Sequence, residues 1–285
     1  RMPNTNAPIT PINFDSDTLL TFCVIADVPY IQREVERLPG QIANQIDGCE
    51  FLVHLGDIMQ GDIGCDQANY QMVQGMLLAS AIPTFIVPGD NEWNDCGNDR
   101  QVDAAWSLWE QHFLGLDTNW SHNLTIARQT RYPENFYFIR KKTLIFGLNI
   151  VGGRVHDRDE WDRRLTAEID WIKAVAAVNI PVNAAGIIIL AHARPTPAHS
   201  PFFDPLQQFM KDELGNVVPV LYLHGDGHSY FYSPYFLNQD NALQIQHEGG
   251  VRDPVLKILA DPFHLGPEVH DSFQVDRQLH LDTNQ

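Results

Sequence analysis

Short apolar runs bounded by Gly, Pro and Asp alternate with stretches of helical periodicity along the first third of the chain. Leu19–Ala26, Glu50–Leu55 and Thr84–Pro88 read as strands. Helical patterns lie between and after them, at Ile31–Ile46 with an interruption at Pro39-Gly40, at Asp66–Ser80, and at Val102–Phe113 with Trp106 and Trp109. The rhythm then changes. Asn135–Ile139 and Thr143–Ile150 read as a hairpin around Arg140-Lys-Lys142, followed by a long helix at Arg158–Val178. Further strands are expected at Gly186–Ala191, Val217–Leu223, Ser229–Phe236, Ala242–His247 and Pro254–Leu259, with a helix at Pro205–Leu214.

Strand–helix alternation at both ends calls for a sheet core with helices outside. The hairpin adds a second sheet packed inside. The expected fold is α/β, a four-layer α/β/β/α sandwich, with residues 18–285 forming a single domain. Residues 1–17, rich in Pro, Asn and Thr, read as a flexible N-terminal segment. No apolar run approaches the ~20 residues that span a bilayer, so no transmembrane segment is expected. No signal peptide is legible either. A secreted or periplasmic location is favoured, as a mature chain without its signal peptide.

In open α/β sheets ligands sit beyond the carboxyl ends of the strands, so the loops there are where chemistry is sought. They read Asp27-Val-Pro-Tyr30, Gly56-Asp57-Ile-Met-Gln60, Gly89-Asp90-Asn-Glu92, Ala191-His192-Ala-Arg194 and His224-Gly-Asp-Gly-His228. Each presents Asp or His as soon as an apolar run ends. One such Asp is usually a turn residue; five loops in order form a pattern. Converging carboxylates repel one another unless cations lie between them. Asp and His together suit first-row transition metals, and added carboxylates shift preference toward harder cations.

These motifs, running in order from about Leu19 to Tyr230, resemble those of the calcineurin-like metallophosphoesterases. The resemblance is nearest to a divergent branch with D-x-P-Y, G-D, P-G-D-N-E-W and H-G-D-x-H signatures, as in Asp27–Tyr30, Gly56-Asp57, Pro88–Trp93 and His224–His228. It implies Asp27, Asp57 and His228 on a first metal and Asp57, Asp90, His192 and Asp226 around a second, with Asp57 bridging. The implied cofactors are one or two divalent ions, Mn favoured, with Mg, Fe, Zn or Ca as alternatives. The implied reaction is hydrolysis of a small phosphate mono- or diester by metal-activated water.

Four positions depart from the superfamily pattern. Pro29 stands where a ligand His is expected. Asp90 and Asp226 replace Asn and His, which makes the site more anionic. Asn91 stands where a His protonates the leaving group, and an amide is no general acid at neutral pH. His156 and His224 are candidate substitutes, and Arg194 is a candidate phosphate clamp, with Arg154 and Tyr30 behind it. The alternative reading is a non-catalytic metal-binding or scaffold protein on a degenerate site.

Composition narrows the partners. With 19 Lys plus Arg against 36 Asp plus Glu, the net charge of −17 disfavours a long nucleic acid. The four cysteines match no zinc or redox spacing. Cys23, inside an apolar strand, reads as a buried small hydrophobe. Cys65 and Cys96 fall in neighbouring loops and are candidates for a disulfide. Trp93, Trp106 and Trp109 read as core.

Overall fold

The computed structural model describes residues 17–61, 65–263 and 266–281. Residues 1–16 of the expected N-terminal segment lie outside them. In chain order the first elements are β1 (Leu20–Ile25), α1 (Gln32–Asn44), β2 (Leu52–His54), α2 (Gln67–Leu78), β3 (Thr84–Ile86) and α3 (Asp99–Phe113). Next come β4 (Ala127–Arg128), β5 (Phe136–Arg140), β6 (Thr143–Gly147), α4 (Arg158–Asn179), β7 (Gly186–Leu190), α5 (Ser200–Asp212) and β8 (Val220–His224). The chain closes with β9 (Phe231–Pro234), β10 (Ala242–Gln246), β11 (Leu256–Ala260) and β12 (Phe273–Asp276).

These strands form a 5-stranded sheet, β12-β11-β1-β2-β3, and a 7-stranded sheet, β4-β5-β6-β7-β8-β10-β9. Period-two alternation explains how they stack. Leu20, Phe22 and Val24 of β1 face the second sheet, meeting Ile188 and Leu190 of β7 and Leu221 and Leu223 of β8. Cys23 and Ile25 point the other way, under α1 and α2 with Leu38, Ile42, Val73 and Leu77. On the far side Ile187 and Ile189 pack under α4 and α5 with Leu165, Ile169, Phe202 and Leu206. The order is helices, sheet, sheet, helices, the expected four layers. Between the sheets Phe51 stacks or crosses Phe22, Phe85 and Phe138 at 5.0–5.7 Å. Each such fully buried ring contributes about 2–3 kcal/mol.

Three expectations need correction. Helix α1 runs through Pro39 without a break. Burial of Leu38, Gln41 and Ile42 on one face carries it past the hydrogen bond the proline cannot donate. Cys23 is not a free hydrophobe but is disulfide-bonded to Cys49, Cα–Cα 5.7 Å. Cys49 lies three residues before β2, and the parallel pairing of Cys23 with Leu52 brings the two chain segments together. Helix α5 starts at Ser200, five residues before Pro205, because Phe202 and Phe203 are buried in the α4 layer. Strand β12, paired antiparallel with β11, was not legible as a strand.

Parallel pairing joins β1 to β2 and β2 to β3, and runs through β6, β7, β8 and β10. All the carboxyl ends in each parallel run therefore fall on one edge. This places the loops after β1, β2, β3, β7 and β8 together, and adds a loop after β10.

Candidate metal centre

The five loops converge. Asp27, Asp57 and His228 present ligand atoms within 4.8 Å of one another, and so do Asp57, Asp90 and His192. Asp57 belongs to both triads. Four candidate residues sit at positive φ, Asp27 at 52°, Asp57 at 60°, Asp226 at 67° and His228 at 50°. Such left-handed non-glycine backbone persists where the surroundings over-determine it, and it collects at functional sites.

Close loop contact holds Asp57 in place. Gly56 takes φ 88°, and a Cβ there would meet the Gly89 nitrogen at 2.5 Å. A side chain at Gly89 would in turn collide with the Asp57 main chain. Only glycine lets the loops after β2 and β3 touch. Between them lies Glu92, 0% exposed. Its carboxylate accepts from the main-chain N–H of Gly89 at 2.5 Å, Asp57 at 3.2 Å and Ile58 at 3.3 Å. Sequence reasoning gave Glu92 no role; its only signal was a carboxylate inside the Gly89–Trp93 motif.

In the second triad His192 donates from Nδ1 to the Leu55 carbonyl at 2.8 Å. A carbonyl can only accept, so Nε2 is the nitrogen turned to Asp90 Oδ1 at 2.9 Å and Asp57 Oδ1 at 3.3 Å. That backbone-fixed tautomer is how metal-ligating imidazoles are oriented. In the metal-free site burial would lower the His192 pKa, but Asp57 and Asp90 outweigh it and raise it well above the usual value. Burial pushes the Asp57 carboxyl well up. Burial also pulls Asp90 upward, yet the hydrogen bond and charge of His192 hold it below the usual carboxylate range.

In the first triad His228 Nε2 lies 3.3 Å from Asp27 Oδ1. That hydrogen bond, against partial burial, raises the imidazole pKa. Pro29, where the sequence resemblance led us to expect a ligand histidine, is followed by Tyr30, whose hydroxyl reaches Asp57 Oδ2 at 2.6 Å. Asn91 donates from Nδ2 to the same Asp57 oxygen at 2.7 Å and from its main chain to Oδ1 at 3.0 Å.

Asp226 belongs to neither triad. Its main-chain N–H is hydrogen-bonded to the Asp27 carboxylate at 3.1 Å, and its side chain borders Gly152. Arg194 is exposed and lines a cavity of about 340 Å³ together with Asp226, Gly152 and Gly153. Among the described residues Arg194 makes no ion pair. Arg154 instead donates to the carbonyls of Gly97 at 2.7 Å and Asn94 at 3.1 Å, which pins a loop. His156 packs edge-on against Trp93, centroids 5.5 Å apart, in a separate cavity. His224 is fully buried against Gln244, and burial pushes its pKa down to about 4. Neither histidine faces the triads.

Sequence reasoning also missed the loop after β10. The Gly250 N–H bonds the carbonyls of Ala26 and Asp27 at 3.1 Å, and a cavity of about 230 Å³ there is lined by Asp27, Tyr30, His228, Glu248 and Arg252. The alternation of β10 predicted a strand, but nothing in sequence said that its end joined this edge. Cys65 and Cys96 form the expected disulfide, Cα–Cα 6.0 Å, and tie α2's leading loop to the segment after Trp93.

The chain matches no protein-family model and no curated protein sequence. Its fold is similar to that of a purple acid phosphatase from yellow lupin (Lupinus luteus) seeds, TM-score 0.55 at 11% identity, over 85% of this chain and 49% of that one. A 5'-nucleotidase from Candida albicans is similar at TM-score 0.48 and 13% identity, over 90% of this chain and 51% of its own. GAP50, the anchor in the inner membrane complex of Plasmodium, is similar at TM-score 0.47 and 12% identity, over 86% of this chain and 85% of its own. The chain spans about half the length of the phosphatase and the nucleotidase. The shared architecture is the metallophosphoesterase-type sandwich.

Proposed function

We propose that the chain hydrolyses a small phosphate ester, mono- or diester, with the help of one or two divalent cations, manganese favoured. The observation that carries this reading is the sharing of Asp57 between the two triads. One carboxylate common to two O/N donor sets fits a pair of cations, and the neutral Nε2 that Leu55 fixes on His192 fits the donor role. Asp226 is proposed as a further carboxylate for the second cation. Bound cations would supply Lewis-acid polarisation of a phosphoryl oxygen and acidification of a water.

The chain's own residues have separable tasks. Glu92 holds the Asp57 backbone between the loops after β2 and β3. The Arg194 guanidinium, free of ion pairs beside Asp226, is proposed to orient a substrate phosphate. Asn91 donates hydrogen bonds and releases no proton, and neither His156 nor His224 faces the site to replace it. Esters of acidic alcohols, which leave without protonation, are the expected substrates. Two disulfides support an oxidising compartment, outside the cell or in a periplasm. Among the described residues no helix is long and apolar enough to cross a membrane.

A second reading has its own observation. Tyr30 and Asn91 both hydrogen-bond Asp57 Oδ2, a closed network that also suits a metal-binding protein without turnover. Assaying manganese-loaded protein with p-nitrophenyl phosphate and bis-p-nitrophenyl phosphate separates the two. Hydrolysis that Asp57→Ala abolishes supports the enzyme; metal bound without turnover of either ester supports the binding protein.

A further inference from the structure

Two cavities open beside the candidate metal centre, one on each side of the loop after β8. The larger, of about 340 Å³, is lined by Gly152 and Gly153 after β6, Arg194 and Thr196 after β7, and Asp226 and Gly227 after β8. The smaller, of about 230 Å³, is lined by Asp27 and Tyr30 after β1, His228 after β8, and Glu248, Gly249 and Arg252 after β10. The strand order β6-β7-β8-β10 puts the larger on the β7 side of the β8 loop and the smaller on the β10 side.

Glycine brings each cavity against a triad carboxylate. A Cβ at Gly153 would lie 2.4 Å from Asp90 Oδ2, and one at Gly249 would lie 2.8 Å from the Asp27 Cβ. Any larger residue would close the approach. Each cavity also holds one arginine. Arg194 and Arg252 are both exposed, and among the described residues neither makes an ion pair. The acids around Arg252 have other partners. Glu34 accepts the Tyr30 main-chain N–H at 2.6 Å, and Glu248 Oε1 lies 3.5 Å from the Arg277 guanidinium.

A phosphate monoester has one organic arm and, near neutral pH, close to two negative charges; a diester has two arms and one charge. The carboxylates of Asp27, Asp57, Asp90 and Asp226 would balance two divalent cations, which leaves no surplus for a second charge on the phosphate. Cavities of this size have room for one small group each. We propose that the substrate is a phosphodiester whose two arms occupy the two cavities, an inference that rests on the cation-dependent phosphate site proposed above. Arg194 holds the phosphate and the departing arm on the β7 side. The retained arm crosses the β8 loop to lie against Arg252, beside Tyr30 and His228, whose rings meet edge to face with centroids 5.5 Å apart. A planar guanidinium stacks on aromatic faces, so Arg252 selects an aryl arm, and a monoester leaves it without a partner.

Calorimetric titration of the manganese-loaded full chain with diphenyl phosphate, methyl phenyl phosphate and phenyl phosphate tests this through binding alone. Diphenyl phosphate binds about tenfold more tightly than methyl phenyl phosphate, which has the same charge but no second ring. Phenyl phosphate binds no more tightly than the methyl ester. Arg252→Ala, at an exposed position, brings diphenyl phosphate to within about threefold of the methyl ester. Equal affinity for the two diesters, phenyl phosphate as the tightest ligand, a margin unchanged in Arg252→Ala, or no saturable binding of any of the three would overturn the proposal. Turnover of the p-nitrophenyl esters reads the hydrolytic function separately: a diester preference in binding without turnover supports the two-cavity site and removes only the hydrolysis.

Discussion

The Tyr30 hydroxyl donates a 2.6 Å hydrogen bond to Asp57 Oδ2, linking the loop after β1 to the loop after β2. The Tyr30 hydroxyl oxygen also lies 3.4 Å from Asp27 Oδ1 and 3.4 Å from His228 Nε2. It therefore sits inside the first triad, one residue beyond Pro29. Burial, with the charges of Asp57 and Asp27, pushes the phenol pKa up and keeps it protonated while no cation is present.

Tyr30→Phe should distinguish the two triads. If the hydroxyl serves the first cation, the substitution weakens that site by about tenfold and leaves the second unchanged, because Tyr30 bonds Asp57 Oδ2 whereas Oδ1 is the oxygen turned to His192. Manganese titration of both proteins by calorimetry reads this out. Equal weakening of both sites, or of neither, would contradict it.

Metal stabilisation should grow with pH. Asp57, Glu92 and His192 all have raised pKa values in the metal-free fold, Glu92 from 4.5 to about 7 through burial. A raised folded-state pKa gives stability that is complete below the unfolded value and is lost as pH rises through the folded one. For Glu92 that window is 4.5 to about 7; Asp90, held low beside His192, works in the opposite sense. A divalent cation replaces the protons the site takes up. The rise in Tm on adding manganese should therefore be larger at pH 8 than at pH 5. A rise that is equal, or larger in acid, would contradict this.

Glu92→Ala should destabilise the fold through the two loops rather than through lost apolar packing. It leaves the N–H groups of Gly89, Asp57 and Ile58 without their acceptor in a site closed to solvent. The expected cost is about 3 kcal/mol, read from the urea midpoint at unchanged slope. A loss under about 0.5 kcal/mol, the range of ordinary surface substitutions, would mean that Glu92 does not organise these loops.

What was legible in sequence follows from what periodicity encodes. Alternating burial along β1 and β7 and the immediate appearance of Asp27, Asp57, Asp90 and His192 after apolar runs gave the sandwich and the converging loops. Long-range pairing is not encoded in this way. Nothing in Phe273–Asp276 marked it as the partner of β11, and the Cys23–Cys49 bond depends on the β1–β2 register. Glu92 looked like one more acid, because the three N–H groups it gathers belong to loops whose contact requires the folded chain. That Asp226 falls outside both triads, and that His156 turns toward Trp93, were equally beyond a linear reading.

The two disulfides should differ in access. Cys23 and Cys49 are 0% and 7% exposed beneath α1, whereas Cys65 is only half-buried at a loop edge. Mild reductant under native conditions should open Cys65–Cys96 first, seen by alkylation and mass measurement. Its loss should cost about 3.7 kcal/mol for a loop of 31 residues and lower Tm. An unchanged Tm after demonstrated alkylation of Cys65 and Cys96 would refute a role in pinning the two metal loops.

The central claim is that Asp57 serves two cations at once. Metal content by inductively coupled plasma mass spectrometry, on wild-type and Asp57→Ala protein after manganese loading and removal of excess ion, tests it most directly. The account predicts two manganese ions per wild-type chain and loss of both in the folded variant, because both triads contain Asp57. A wild-type chain that binds fewer than two ions, or a folded Asp57→Ala chain that keeps either one, would contradict it.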